Sequence, residues 1–409
     1  MRLLNLWRKC SNTEALEKSS GFETIFFESV YRVTYITGQS SSEHSMGYSL
    51  YSNLVKLMIS YILFGELWHS LTEYLTLDQF AASINVILIQ AIAIYRYKNL
   101  RDHKDFYKNL AISMDSPYFD ISTERRKKLV KEWAQRQEIY LKLLLGLGSS
   151  TLLSWFIFPL MDGVQYNLII GIRLPFDYKS SELYPFAYIF VVIAFGYVSY
   201  FVMVTDSIMQ AHLIHLLCQF SVLADCFQNC LNDCSAGFEG ITKYDLVHNK
   251  KFAEKYKKRL GDLVKQHKFI LRHTLNLRDI LSGPMLGQLA ASGTIICFVG
   301  YQSATTIGVS IGKCLMSCLF LSYNVFALYI ICKWCEDITT KSHKIGEAIY
   351  CSGWECGVFN IRGVRSTLVF VIARANKPVV LTAGGMYNLS IASYALVRTL
   401  FFGLLVVLL

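Results

Sequence analysis

The chain has 409 residues, of which 53% are hydrophobic and 17% charged, with a formal net charge of +10. Soluble domains carry roughly 25% charged residues, so an ordinary soluble globule is excluded and a polytopic membrane protein is expected. No nucleic-acid-binding module accompanies the positive charge, and its placement along the chain points to a membrane surface and excludes nucleic acid as a partner.

Residues 1–46 are polar and aromatic without a clear period. They are expected to form a short helix and a stretch lying against the rest of the chain. Residues 3–7 are too short for the apolar core of a cleavable signal, so the first span is expected to act as its own insertion signal. Apolar runs follow at 47–67, 79–95, 143–161, 183–205, 280–302, 314–332 and 388–409. Most are long enough for a helix to cross a hydrocarbon core of roughly 30 Å. With the N-terminus inside, the inner segments carry 5, 11, 11 and 7 basic residues, which is 34 of the 40 Lys and Arg. The outer loops carry Arg173 and Lys179. The positive-inside rule then predicts seven transmembrane helices, a cytoplasmic N-terminus and an extracellular C-terminus. A metabotropic seven-span receptor would need the opposite orientation.

Between the second and third spans, the sequence predicts a turn near Ser116-Pro117 and a basic helix over 123–138 running into the third span. Its charges (Arg125, Arg126, Lys127, Lys128, Lys131) are expected to form a solvated inner face. The outer loop 162–182 contains Gly171, Pro175, Asp177 and Tyr178, and reads equally as a lid or a plain connector. In 250–274, Phe252, Tyr256, Leu260, Leu263, His267 and Ile270 recur at helical spacing, with Lys251, Lys255, Lys258, Arg259, Asp262 and Lys265 largely off that stripe. The pattern predicts an amphipathic helix with a packing seam, although a helix lying on the lipid surface shares it. Near the C-terminus a helix over 361–375 stops at Lys377-Pro378. Thr382-Ala383-Gly384-Gly385 is expected to be a flexible link, followed by the last span. The resulting organisation is an all-α membrane protein with a cytoplasmic segment 1–46 and spans one to four over 47–205. Helical extensions occupy 206–279, spans five and six 280–332, a linker and half-helix 333–385, and the last span 386–409.

Candidate chemistry is sparse. Cys226, Cys230 and Cys234 share one helix face, but a zinc site needs a closing turn and a paired second ligand set, so buried thiols used for packing are expected. No phosphate-loop, zincin or nucleophile-elbow motif occurs, and neither an enzyme activity nor a cofactor is expected. Lys142 lies near an inner membrane boundary, where it is expected to snorkel; Lys56 is nearer mid-span. Arg398 lies ten residues into the last span. Ser393, Leu396, Leu400, Leu404 and Val407 recur at 3-4-4-3 spacing and make one face of that helix. Arg398 falls opposite, so a pore on the first face would turn it into the bundle or toward a neighbouring subunit. The outer halves of the spans are rich in aromatic and small residues: Phe80, Ser83 and Ile87; Ser150, Leu153, Trp155 and Phe158; Phe186, Ile189 and Phe190; and Phe320, Tyr323 and Asn324. Aromatic walls with a few hydroxyls or amides suit small, mostly apolar ligands.

The C-terminal block carries a resemblance. Glu347-Ala348-Ile349-Tyr350, Gly353-Trp354 and the run from Lys377-Pro378 through Leu381-Thr382-Ala383-Gly384-Gly385 to Leu389-Ser390 resemble the C-terminal signature of insect odorant receptors. The resemblance implies four subunits around one pore lined by the last helices, with the inner helices as an anchor. It implies an odorant-gated, non-selective cation channel in the plasma membrane of sensory dendrites, formed by a ligand-tuned subunit and a common co-receptor as a heterotetramer. The implied ligand is a small volatile organic molecule, bound in the outer half among the second, third, fourth and sixth spans. The implied gate is an aliphatic ring, which falls at Val407 with Leu404 one turn below. This chain departs from the family in having Phe401-Phe402-Gly403-Leu404 where Ser or Thr with Tyr-Phe is common. A gustatory-type channel is the alternative, but the last-helix pattern of that group is absent.

Overall fold

The computed structural model describes residues 11, 13–19, 21–40, 43, 45–73, 77–162, 164–238, 240–306 and 310–408. Nine principal helices order it: α1 (Gly21–Ile36), α2 (Met46–Thr72), α3 (Leu77–Asp102), α4 (Glu124–Met161), α5 (Tyr184–Gln228), α6 (Lys250–Thr306), α7 (Ile311–Tyr350), α8 (Val364–Ala375) and α9 (Ile391–Leu408). Among the described residues, the six helices α2 to α7 are long and apolar enough to cross a membrane. The 18 residues of α9 add another apolar helix. Leu50, Leu54, Leu57 and Phe64 of α2 are exposed on its surface, an apolar stripe that lipid accommodates and water does not.

Three helices run far beyond the bilayer. α5, α6 and α7 have 45, 57 and 40 residues, so even α7 is about 60 Å long, twice a hydrocarbon core. Their extensions pack together into the largest hydrophobic cluster of the chain. α5 is its central column. From Met209 to Leu223 it is buried on every side, as a helix that is apolar all round must be. The stripe Phe252, Tyr256, Leu260, Leu263, His267 and Ile270 of α6 is buried throughout. That segment is therefore the lower part of a membrane-crossing helix with a packed seam, and the lipid-surface reading is set aside.

Pro284 lies inside α6 and cannot donate to the carbonyl of Ile280. Asn99 of α3 supplies the missing donor through Nδ2, 3.0 Å from the Ile280 oxygen. The helix therefore passes its proline with the freed acceptor satisfied.

Two expectations about charge and order need correction. The basic helix is not uniformly solvated, because Arg126 is wholly buried. Its guanidinium pairs with Asp225 at 2.9 Å, Asp120 at 2.7 Å and Asp233 at 2.5 Å. Arg259 joins Asp120 and Asp233 from α6. A lone arginine looks surface-bound in sequence because its three acids are scattered along the chain. The second correction concerns the link before the last helix. Thr382–Ala383 (β1) and Tyr387–Asn388 (β2) pair as an antiparallel hairpin. Gly384 and Gly385, at φ +62° and +71°, make its turn, where a side chain would be strained. The Gly384 N–H donates to Ser282 O at 2.8 Å. A Cβ on Gly384 would come within 2.7 Å of Leu286. The segment is ordered because its backbone is docked on α6.

The loop over 164–182 packs as an extended strap. Leu168, Ile170, Ile172 and Leu174 alternate inward against α2 and α5. Ile172 is received at Gly65, where a Cβ would lie 2.6 Å from its side chain. At the other end of the chain, α1 buries Phe26, Phe27 and Val30 against α5.

Below the spans, His212 and His215 sit against Phe26, Phe27 and Tyr107. Burial pushes their imidazole pKa values down to about 4 and about 3. Burial, with Arg374 adding to it, brings His267 to about 4. In the unfolded chain each titrates near 6.5. Unfolding is therefore promoted by protons once the pH drops below 6.5, and stability is lost progressively down to about pH 4. Each histidine contributes about 1.4 kcal/mol per pH unit in that window. Melting of the purified protein should be several degrees lower at pH 5 than at pH 7.5, and equal melting temperatures would exclude this neutral buried state.

Candidate functional site

Beside the packed anchor, four of the long helices line a small, partly open cavity of about 70 Å³, with almost wholly apolar walls. α3 contributes Val86, Ile89 and Gln90, and α4 contributes Gly148, Thr151, Leu152 and Trp155. α5 supplies Phe195, Val198, Ser199, Val202 and Met203, and α7 supplies Phe320 and Tyr323. These helices are the second, third, fourth and sixth spans. Trp155 is the hub of the aromatic wall, stacked on Phe195 with centroids 5.6 Å apart and tilted against Phe320 at 5.4 Å. Gly148 gives Met203 its place: a Cβ there would lie 2.1 Å from the Met203 sulfur and 3.3 Å from the Tyr323 ring. Pockets for drug-sized ligands run to roughly 300–1,000 Å³. A guest larger than the cavity must move side chains, and the flexible thioether of Met203 is the one best suited to yield.

Of the candidates from sequence, Trp155, Phe320 and Tyr323 come together at this cavity. The others do not line it. Phe186, Ile189, Leu153 and Phe80 are exposed on outer faces of their helices, at 72%, 56%, 58% and 44%. Phe190 is edge-on to Tyr61, and Phe158 lies under the Lys313 ammonium. Ser150 bonds back to Leu147 O, and the Asn324 amide bonds to Phe320 O, so both turn their polar groups to their own helices. Ser83 and Ile87 are half-buried on α3. The cavity is deeper than the aromatic outer ends suggest. On α5, Phe195 sits eleven residues from the first residue, Tyr184, roughly 16 Å along the axis. Sequence misses Gly148 and Met203 because their roles arise only where two helices touch.

Behind Tyr323, outside the cavity lining, lies a polar group that sequence also misses. The Tyr323 hydroxyl donates to Asp206 Oδ2 at 3.1 Å, and Arg96 Nη1 donates to Asp206 Oδ1 at 2.5 Å. Arg96 and Asp206 are each 2% exposed. They sit one residue beyond the second and fourth apolar runs, where a charge reads as a boundary marker. A second polar pair lies in the spans: Gln90 Nε2 donates to Glu66 Oε2 at 2.9 Å, and both residues are 3% exposed.

The last helix starts from the hairpin. The Ser393 N–H donates to Ser390 Oγ at 3.2 Å, and the Ile391 N–H donates to Glu336 Oε2 at 2.6 Å. A carboxylate at a helix N-terminus complements the helix dipole. Tyr394 and Val397 face the body of the chain, while Leu396 is 55% exposed and Ser393 half-buried. Arg398 is exposed and lies beside Tyr394. Lys56 is likewise exposed, and exposed Lys142 pairs with Glu138 at 2.7 Å. The side chains of Leu400, Leu404 and Val407 lie outside the described residues. Cys226, Cys230 and Cys234 are buried in the anchor. Among the described residues, no group of three His, Cys, Asp or Glu is placed to hold a metal.

Comparison with known proteins places this geometry. The family described as 7tm Odorant receptor matches residues 71–401. Odorant receptor 94a of Drosophila melanogaster is 20% identical over 355 residues, covering 82% of each chain. Odorant receptor 67a of the same fly is 28% identical over 139 residues, and the match spans only 33% of that relative's length. The structure of the insect olfactory receptor OR5 from Machilis hrabei shares the fold, with a TM-score of 0.77 and 17% identity, covering 94% of this chain and 97% of that one. A second structure of OR5, in complex with eugenol, gives a TM-score of 0.78 and 15% identity over 95% and 99%. The chain is a multi-pass membrane protein and belongs to the odorant receptor family.

Proposed function

We propose that this chain is the odorant-tuned subunit of a ligand-gated, non-selective cation channel. It works as a heterotetramer with a common co-receptor in the plasma membrane of olfactory dendrites, with its N-terminus inside and its C-terminus outside. The activating ligand is a small volatile organic molecule. The observation that carries this reading is the aromatic cavity closed by Trp155, Phe195 and Phe320 within the spans. The eugenol bound to the similarly folded OR5 supports it.

An uncharged ligand biases gating only through different affinities for the closed and open states. A 100-fold difference supplies roughly 2.7 kcal/mol per site. In this reading Ser393, Leu396, Leu400, Leu404 and Val407 of α9 face the shared pore, and an aliphatic ring at Val407 blocks ions by dewetting. Val407→Ser should raise current without ligand; an unchanged basal current in well-expressed channels removes that gate. The whole reading is tested by recording currents, with and without the co-receptor, against a panel of volatiles. Inward current that requires both subunits and a volatile is expected, with a C-terminal tag reachable from outside intact cells. Absence of any volatile-evoked current overturns the proposal.

Gly148→Ala tests the site itself. The added methyl drives Met203 into the cavity, and overpacking of this kind costs about 1–3 kcal/mol. The half-maximal concentration for a bulky activating volatile should rise roughly tenfold or more. An unaltered dose–response curve would place the ligand elsewhere.

A further inference from the structure

Although the cavity is nearly all hydrocarbon, two of the residues that line it each carry a buried polar atom without a partner among the described residues. Gln90 lines it and is 3% exposed. Its Nε2 donates to Glu66 Oε2 at 2.9 Å. Its Oε1 is buried and accepts no hydrogen bond among the described residues. Trp155, on the aromatic wall, has a buried Nε1–H that donates to no acceptor among the described residues. Of the other polar groups at the cavity, the Tyr323 hydroxyl donates to Asp206 and the Thr151 hydroxyl to Leu147 O, and the half-buried Ser199 also lines it. Asn85, on the same helix as Gln90, also leaves its amide unpaired, but it does not line the cavity.

A buried acceptor left unmade is costly, and a buried donor equally so. A ligand that meets them gains what the protein alone forgoes. A ligand that merely fills the space leaves both unpaired. We infer that the cavity is built for a small volatile bearing a hydroxyl group, an alcohol or a phenol, whose O–H donates to Gln90 Oε1 and whose body packs against Trp155, Phe195 and Phe320. The hydroxyl oxygen, or a second oxygen on the ligand, accepts from Trp155 Nε1. This inference rests on the odorant-binding reading above and narrows it to one ligand chemistry. Ethers and ketones can accept from Trp155 but offer nothing to Gln90. Alkanes serve neither. An ammonium would reach the Gln90 oxygen but would have to shed its hydration in a cavity whose walls hold no carboxylate, since Glu66 does not line it.

The test uses the full chain with its co-receptor and a panel of matched compounds. Straight-chain alcohols of four to eight carbons, benzyl alcohol and 2-phenylethanol are each compared with their methyl ether, the corresponding ketone or aldehyde, the amine and the hydrocarbon. In the unaltered receptor the most effective alcohol should act at a concentration roughly tenfold or more below its methyl ether, a factor equivalent to about 1.4 kcal/mol. In Gln90→Leu, and in Gln90→Met of closer shape, that ratio should fall to about one while the ether response persists. The ether response reports a folded, gated channel. If neither variant reaches the surface, the ratio in the unaltered receptor decides alone. Equal potency of alcohol and ether, preference for the ketone or amine, or silence toward every alcohol while another compound opens the channel overturns this inference and leaves the odorant-receptor reading intact. Silence toward all volatiles overturns that reading itself.

Discussion

Replacing Arg96 by leucine is expected to remove most functional protein from the cell surface, although Arg96 touches no solvent. Its guanidinium is the sole described cationic partner of Asp206, at 2.5 Å. Removal of one member of a buried pair strands the other, at a cost of about 3–5 kcal/mol. That is comparable with the whole net stability of a typical domain, roughly 5–15 kcal/mol. Asp206→Leu should be at least as damaging. Arg96 already has Nε and Nη2 without partners among the described residues, so the loss of Asp206 leaves a buried guanidinium with nothing to bond. The informative variant is the double replacement Arg96→Leu with Asp206→Leu. An apolar pair of similar volume is often neutral or stabilising, so surface expression and melting temperature should recover well beyond either single change. Tyr323 then keeps its place on the cavity but loses its acceptor, and the volatile response should remain altered after folding is rescued. Surface labelling, thermal melting and dose–response curves read the three parts. A harmless single change, or a double no better than the singles, would refute the buried pair as described.

A comparable loss is expected at Arg126. Three carboxylates, from Asp120, Asp225 and Asp233, converge on this one side chain. Arg259 shares two of them and Arg125 reaches Asp225 at 2.9 Å, but neither replaces the central charge. Arg126→Met should therefore cost about 3–5 kcal/mol and lower the melting temperature strongly. Arg126→Lys should fall between, because an ammonium keeps the charge but cannot address three carboxylates with a planar fork. The network also sets an acid limit. Burial tends to raise the Asp120 pKa, but hydrogen bonds from Ser122 and the nearby Arg259 and Arg126 together hold it below the usual carboxylate value. A carboxyl with a depressed folded pKa contributes stability that is present above about pH 4 and lost as the pH falls below it. That window lies beneath the one set by His212, His215 and His267, so a pH series of melting curves separates the two. An Arg126→Lys protein that melts like the unaltered one would show that charge alone holds this cluster.

The two kinds of arginine show where reading a sequence stops. Arg96 and Arg126 were indistinguishable from the basic residues around them, since burial and pairing depend on acids 110 and 99 positions away. The aromatic outer ends misled for a different reason. Phe186 and Ile189 face outward, while Phe195 and Val198 face the cavity. In water an amphipathic helix announces its inner face by polarity; in lipid both faces are apolar and the period carries little information. By contrast, the seam from Phe252 to Ile270 was legible, because that part of α6 is clothed in lysines that stay in water.

By itself the amino-acid sequence determined the all-α membrane class, the approximate positions of the spans, the uneven distribution of basic charge and, through its C-terminal block, the family. Those properties are sums over stretches of chain, and hydrophobic burial and charge placement act on them locally. Only the tertiary structure decided that the glycine link is a docked hairpin, that Gly148 yields space to Met203, that Arg96 and Asp206 are joined beside Tyr323, and that Gln90 and Trp155 meet at one apolar cavity. Each of these depends on two side chains meeting across different helices at a distance of a few ångströms, and neither partner carries a mark of the other.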